Sequence, residues 1–174
     1  MSTQPATGGS ASRTDYAPHL AAAASLADAS DAPIHHGSRA AANADTLKAI
    51  FAAFAMGDVP AILSKLGEDV EWEFGYPDNS DIPWLKPGRG RDHAARFFQT
   101  MTGFRVDRFD VLDVLANETW AVGLVSIDFT WTPTGGRILE ACEPIVCRFD
   151  EVGRVSAVRH AVDSRRHAQM LRLP

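Results

Sequence analysis

Three long runs of alternating apolar and polar residues, joined by short turns, dominate the C-terminal half of this chain. Thr119 to Thr132 reads as one strand, Ile138 to Phe149 as a second and Val155 to Val162 as a third. Thr134-Gly135-Gly136 and Glu151-Val152-Gly153 supply the turns between them. Strands linked this tightly must pair as antiparallel neighbours, so the spacing predicts a meander. Phe109, Val111, Leu112 and Val114 predict a further strand just before it, ending at Asn117–Glu118. One face of such a sheet is apolar and needs a cover.

Helical patterns upstream can provide that cover. Leu47, Ile50, Phe51 and Phe54 recur at helical spacing after the candidate caps Asn43 and Asp45. Asp58 with Pro60 starts a second, short helix that Gly67 stops. Val70, Trp72 and Phe74 alternate with Glu71 and Glu73, the pattern of a half-buried strand. Residues 75–90 hold Pro77, Pro83 and Pro87 among several glycines and read as a long loop, of the kind that often forms a lid or rim. Asp92 to Thr102 is a third helix, with Ala94, Phe97, Phe98 and Met101 on its apolar face. The order is therefore α-α-β-α-β-β-β-β. It predicts an α+β domain over residues 43–174, with three helices packed over a cone-shaped, curved antiparallel sheet.

Residues 1–42 have another character. They are rich in Ala, Ser, Gly and Thr, with no Phe or Trp, although the whole chain has nine Phe and four Trp. A segment that poor in large apolar groups cannot offset its ordering entropy, so it is expected to be a disordered extension. It has neither the basic start nor the Leu-rich centre of a secretory signal.

Charge and cysteine usage narrow the function classes. A net charge of −5 disfavours nucleic acid and anionic membranes as partners, since phosphate binding needs clustered Lys and Arg. No apolar run approaches the length of about 20 residues that spans a bilayer. Cys142 and Cys147 are an odd number apart and so lie on opposite faces of a strand, which argues against a mutual disulfide and for a reducing, cytoplasmic setting.

Local phrases add to the element order. Glu68-Asp69-Val70-Glu71-Trp72 follows the helix pair, and Gly88-Arg89-Gly90-Arg91-Asp92 leads into the third helix. Arg148-Phe149-Asp150 and Gly153-Arg154-Val155 flank the last turn, and Arg159-His160-Ala161-Val162-Asp163 closes the series. In this order the chain resembles the nuclear transport factor 2-like superfamily, and within it the SnoaL-like group, over residues 43–170. The resemblance implies a sheet wrapped round an apolar pocket and a homodimer formed through the outer sheet face. It also implies a choice between two kinds of relative. One comprises cofactor-free isomerases of the ketosteroid isomerase kind, polyketide cyclases, dehydratases and epoxide hydrolases; the other, non-catalytic binding domains. Function has to be argued from the site.

Strand parity nominates that site. Residues two apart share a face, so Glu143 goes with Ile145, Cys147 and Phe149, and His160 goes with Val158 and Val162. Glu143 and His160 are thus the candidate acid–base pair for a small, largely apolar, oxygenated ligand. The same pair could equally be a buried structural hydrogen bond that fixes strand register. Trp72, Trp131 and Ile145 are candidate walls, with Tyr76 and Trp84 at the mouth. Ketosteroid isomerase-like sites suggest that Tyr76 could also donate to a developing oxyanion. Asp128 lies on the less apolar register of its strand and is expected to face outward. His160, Asp163 and His167 have the composition of a metal set, but their spacing crosses from a strand into a helix. The reading is a capping Asp163 and a solvent-facing His167, with no metal and no cofactor.

Overall fold

The computed structural model describes residues 37–74 and 81–171. The expected disordered extension falls largely outside that span, as does Tyr76. Helix α1, Ser38–Ala55, starts directly after Gly37 rather than at Asn43. Residues 38–42 therefore belong to the folded domain. Asn43 is not a cap: it is buried within the helix, and its Nδ2 donates to the Asn117 carbonyl at 3.0 Å. Arg39 donates to the Asp150 carbonyl at 2.6 Å, so both ends of this early stretch are tied to sheet turns. Helix α2, Val59–Ser64, follows the expected cap, with the Asp58 side chain accepting from the Ala61 N–H at 3.0 Å.

Strand β1, Leu66–Phe74, then leads to a single 3₁₀ turn at Pro83–Leu85 and a two-residue strand β2, Gly88–Arg89. β2 pairs antiparallel with Glu71 and Trp72, so these residues, read from sequence as loop, close the edge of the sheet. Helix α3 spans Arg91–Met101. The remaining strands are β3, Phe104–Ala116; β4, Trp120–Trp131; β5, Gly136–Phe149; and β6, Val155–His160. Helix α4, Ser164–Met170, ends the described chain, capped by the Asp163 carboxylate on the N–H groups of Arg165 and Arg166.

Among the described residues the sheet has six strands, in the order β2-β1-β6-β5-β4-β3. Only β1 and β6 run parallel; the other pairs are antiparallel. Bulges interrupt the β3–β4 ladder twice and the β4–β5 ladder once. Each bulge bends and twists its strand, which is how a long meander curls into an unclosed cone. The outer face carries ion pairs, among them Asp128 with Arg137, so Asp128 does point outward. The inner face is apolar.

Helix α1 packs on that inner face through Leu47 and Phe51, which are 0% and 4% exposed. The approach is close because β4 has Gly123 there. A Cβ at that position would come closer than 3.0 Å to the Phe51 ring. Helix α3 adds Ala94 and Phe98, and helix α4 adds His167 and Met170. Between helices and sheet lies the core, and within it a cavity.

Candidate active site

The cavity measures about 110 Å³. Its walls come from every layer of the fold: Phe51 and Phe54 of α1, Trp72 and Phe74 of β1, Phe97 and Phe98 of α3, Val125 and Phe129 of β4. The polar side chains on the wall are few. Among the described residues, Glu143 from β5, His160 from the end of β6 and His167 from α4 are the ionisable ones, apart from the Cys147 thiol.

Register explains how Glu143 meets His160. On the β5–β6 ladder Ile145 lies directly opposite His160. Glu143 is two residues further along the same face and reaches His160 diagonally. Its Oε1 lies 2.8 Å from His160 Nδ1. The two side chains are 8% and 14% exposed, so this is a buried contact rather than a surface one. A carboxylate only accepts hydrogen bonds, so against an ionised Glu143 Nδ1 carries a proton, and in the neutral ring Nε2 carries the lone pair. Aromatic rings hold the imidazole in place. Phe74, its parallel partner on β1, stacks at 5.2 Å, while Trp72 and Phe97 lie at 5.6 and 5.8 Å. The ring is oriented through one nitrogen and clamped on its faces. No hydrogen bond within the described residues engages Nε2.

The β4–β5 bulge adds a second carboxylate that parity alone did not reveal. Val125 pairs with Glu143 and Ile127 with Glu140, so three steps on β5 match two on β4. Glu140 therefore turns inward as well. Its Oε1 lies 3.4 Å from His167 Nε2, and His167 Nδ1 accepts a hydrogen bond from Trp84 Nε1 at 2.8 Å. His167 is 3% exposed, which corrects its reading as solvent-facing: α4, capped by Asp163, turns His167 and Met170 into the core. The helical spacing of His167 and Met170, both buried, is the signal that could have flagged this face.

The candidate wall residues divide. Trp72, 3% exposed, and Ile145 line the cavity. Trp84 lines it too, but from inside at 3% exposed rather than at a solvent-facing mouth. Trp131 shares the inner face yet lies outside the lining. It sits at the far end of β4, against Gly103, with its ring 4.8 Å from both Trp84 and Phe104. It backs the wall rather than forming it. Cys142 is exposed and Cys147 buried. Burial pushes the Cys147 thiol up to about 12, so this cavity residue stays protonated and is no nucleophile.

A family model for the SnoaL-like domain matches residues 47–158. The chain belongs to the SnoaL-like family. Solved structures share the fold of this SnoaL-like domain at low identity. An NTF2-like protein of unknown function from Burkholderia pseudomallei K96243 is 23% identical, with a TM-score of 0.62 over 76% of this chain and 96% of that one. An NTF2-like protein from Burkholderia xenovorans LB400 is 18% identical, with a TM-score of 0.63 over 75% and 96%. An LEH-like epoxide hydrolase from M. tuberculosis is 17% identical, with a TM-score of 0.58 over 76% and 90%. No curated protein matches the chain by sequence.

As for metals, His160 is hydrogen-bonded to Glu143 and His167 to Trp84, and Asp163 caps α4. Among the described residues, no three His, Cys, Asp or Glu side chains converge as a ligand set. Nor is any described helix long and apolar enough to cross a membrane.

Proposed function

We propose that this SnoaL-like domain binds a small, largely apolar, oxygenated molecule and moves a proton on it without a cofactor. The reaction classes that fit are isomerisation, cyclisation, dehydration and hydrolysis. One observation carries the reading: the 2.8 Å contact between Glu143 and His160 on the wall of an otherwise greasy cavity. Glu143 fixes the tautomer and supports positive charge on the ring, so His160 Nε2 acts as the base and returns the proton as the acid. A positioned group of this kind contributes on the order of 10²–10⁴ in rate. Trp72 and Ile145 serve as walls. A cavity of about 110 Å³ suits a molecule with one ring, given that benzene fills an engineered cavity of about 150 Å³. The LEH-like epoxide hydrolase with the same fold supports the hydrolytic option.

A ligand carrier without turnover is the second reading. The tight clamp of Phe74, Trp72 and Phe97 around His160 favours it, because a structural hydrogen bond would be packed in the same way. The test is a thermal-shift screen of small polyketide-like and terpenoid compounds, followed by Glu143→Gln. Retained binding with lost turnover is the expected result. Turnover that survives unaltered removes Glu143 from the mechanism.

A homodimer through the outer sheet face is part of the same proposal. Leu115, Trp120 and Leu139 project from that face and are 42–56% exposed. Light scattering on the eluting protein would read the mass of the pair. Two free cysteines fit a reducing, cytoplasmic setting.

A further inference from the structure

Both histidines of the cavity wall are held through Nδ1, but by partners of opposite sense. Trp84 Nε1 lies 2.8 Å from His167 Nδ1. An indole nitrogen can only donate, so His167 Nδ1 presents its lone pair and the neutral ring carries its proton on Nε2. Glu143 as a carboxylate only accepts, so the neutral His160 ring is the other tautomer, with its lone pair on Nε2. One cavity thus holds a proton acceptor and a proton donor of the same chemical type.

Neither Nε2 has a hydrogen-bond partner among the described residues, although both atoms are buried. Glu140 Oε1 approaches His167 Nε2 to 3.4 Å, but that pair falls outside hydrogen-bond geometry. A buried N–H left without an acceptor is costly, and a ligand oxygen would relieve it. The two glutamates that face these histidines are also near neighbours on β5. They pair with Ile127 and Val125, two positions of β4 apart, which corresponds to about 7 Å of strand.

We propose that His167 is a second ligand-contacting group, donating Nε2–H to an acceptor oxygen of the molecule whose proton His160 handles. The proposal rests on the cavity reading given above and narrows the ligand to a one-ring or short branched carbonyl or epoxide. For a ketone the electrons balance simply. His160 Nε2 takes the proton from the carbon next to the carbonyl. The C–H electron pair becomes the C=C bond of the enolate, and negative charge collects on the oxygen held by His167. Return of the proton to carbon or oxygen restores the histidine.

The test uses the full chain and two probes of the same shape: acetophenone, and isopropenylbenzene, which has CH₂ in place of the oxygen. Calorimetric affinities give a ratio for each protein. His167→Phe is expected to lower the acetophenone preference about fivefold, the factor a neutral hydrogen bond contributes. His167→Gln keeps an N–H near the same place and retains most of that preference. A ratio unchanged in His167→Phe overturns the role of His167 but leaves the cavity reading standing. Failure of the wild type to bind either probe overturns both. Long-range ¹H–¹⁵N spectra of the wild type need no variant. They should report an Nε2–H tautomer for His167 that shifts on adding acetophenone, and an Nδ1–H tautomer there refutes the proposal.

Discussion

Gly123→Ala should destabilise the domain by crowding Phe51, and the size of the effect can be worked from the packing. The new Cβ would stand closer than 3.0 Å to Cε2 and Cζ of the Phe51 ring, and 3.5 Å from a Leu47 methyl. Carbon atoms sit comfortably at about 3.5–4.0 Å, so the ring has to retreat. It has little room, being 4% exposed and edge-on to Phe109 at 6.0 Å between centroids. Overpacking of this kind costs about 1–3 kcal/mol. With a urea slope near 2 kcal/mol/M, the unfolding midpoint should fall by about 0.5–1.5 M. Phe51 also lines the cavity, so its displacement should weaken ligand binding as well. Phe51→Leu removes the colliding atoms. The double variant should therefore be less destabilised than the two single losses combined, by about 1 kcal/mol or more. Additivity within about 0.5 kcal/mol, or an unmoved midpoint in Gly123→Ala, would refute this account of how α1 meets the sheet.

Other consequences are simpler to check. Trp84→Phe leaves His167 Nδ1 buried without its donor, and urea unfolding should register a loss of about 1–3 kcal/mol; a loss below about 0.5 kcal/mol would mean that the Trp84–His167 bond is not formed. Guanidinium hydrogen bonds hold two outer-face carboxyls below the usual range, Asp128 through Arg137 and Asp107 through Arg105. A carboxyl lowered in the folded state stabilises fully above its unfolded value of about 3.9, and that contribution is lost as pH falls through the lower folded value. Asp128→Asn should flatten part of the stability slope below about pH 4, and 1 M salt should shrink the difference. Finally, a thiol reagent at pH 8 should label Cys142 alone in the folded protein and both cysteines in urea, because burial keeps Cys147 protonated. Equal labelling rates would contradict the packing of β5.

Much of this architecture was legible because apolar alternation survives wherever one face of a strand is buried. Val125, Ile127 and Phe129 marked the inner face of β4 and sent Asp128 outward to Arg137. β3 is longer than its apolar core suggested, since Arg105, Asp107, Arg108 and Asp110 pair on its outer face and obscure the period. The start of α1 was hidden for another reason: Gly37 offers no side-chain cap, and the Ala-rich first turns look like the tail before them. At the site, parity counted back from Phe149 carried as far as Glu143 and then failed. A bulge has no clear sequence signature, and this one shifts the phase so that Glu140, rather than Ala141, turns inward. His167 was missed with it, because its burial depends on where α4 docks. Trp131 lies outside the cavity lining, because alternation reports sides of a strand, not distance along a cone.

Proton transfer in the cavity can be measured without knowing the natural ligand. Acetophenone held in D₂O with the wild-type protein should gain deuterium at its methyl group faster than in buffer alone, as read by mass spectrometry. His160→Phe and Glu143→Gln should return the rate toward background while leaving acetophenone bound. Exchange no faster than in buffer, or exchange that both variants preserve, would contradict the assignment of Glu143 and His160 as an acid–base pair.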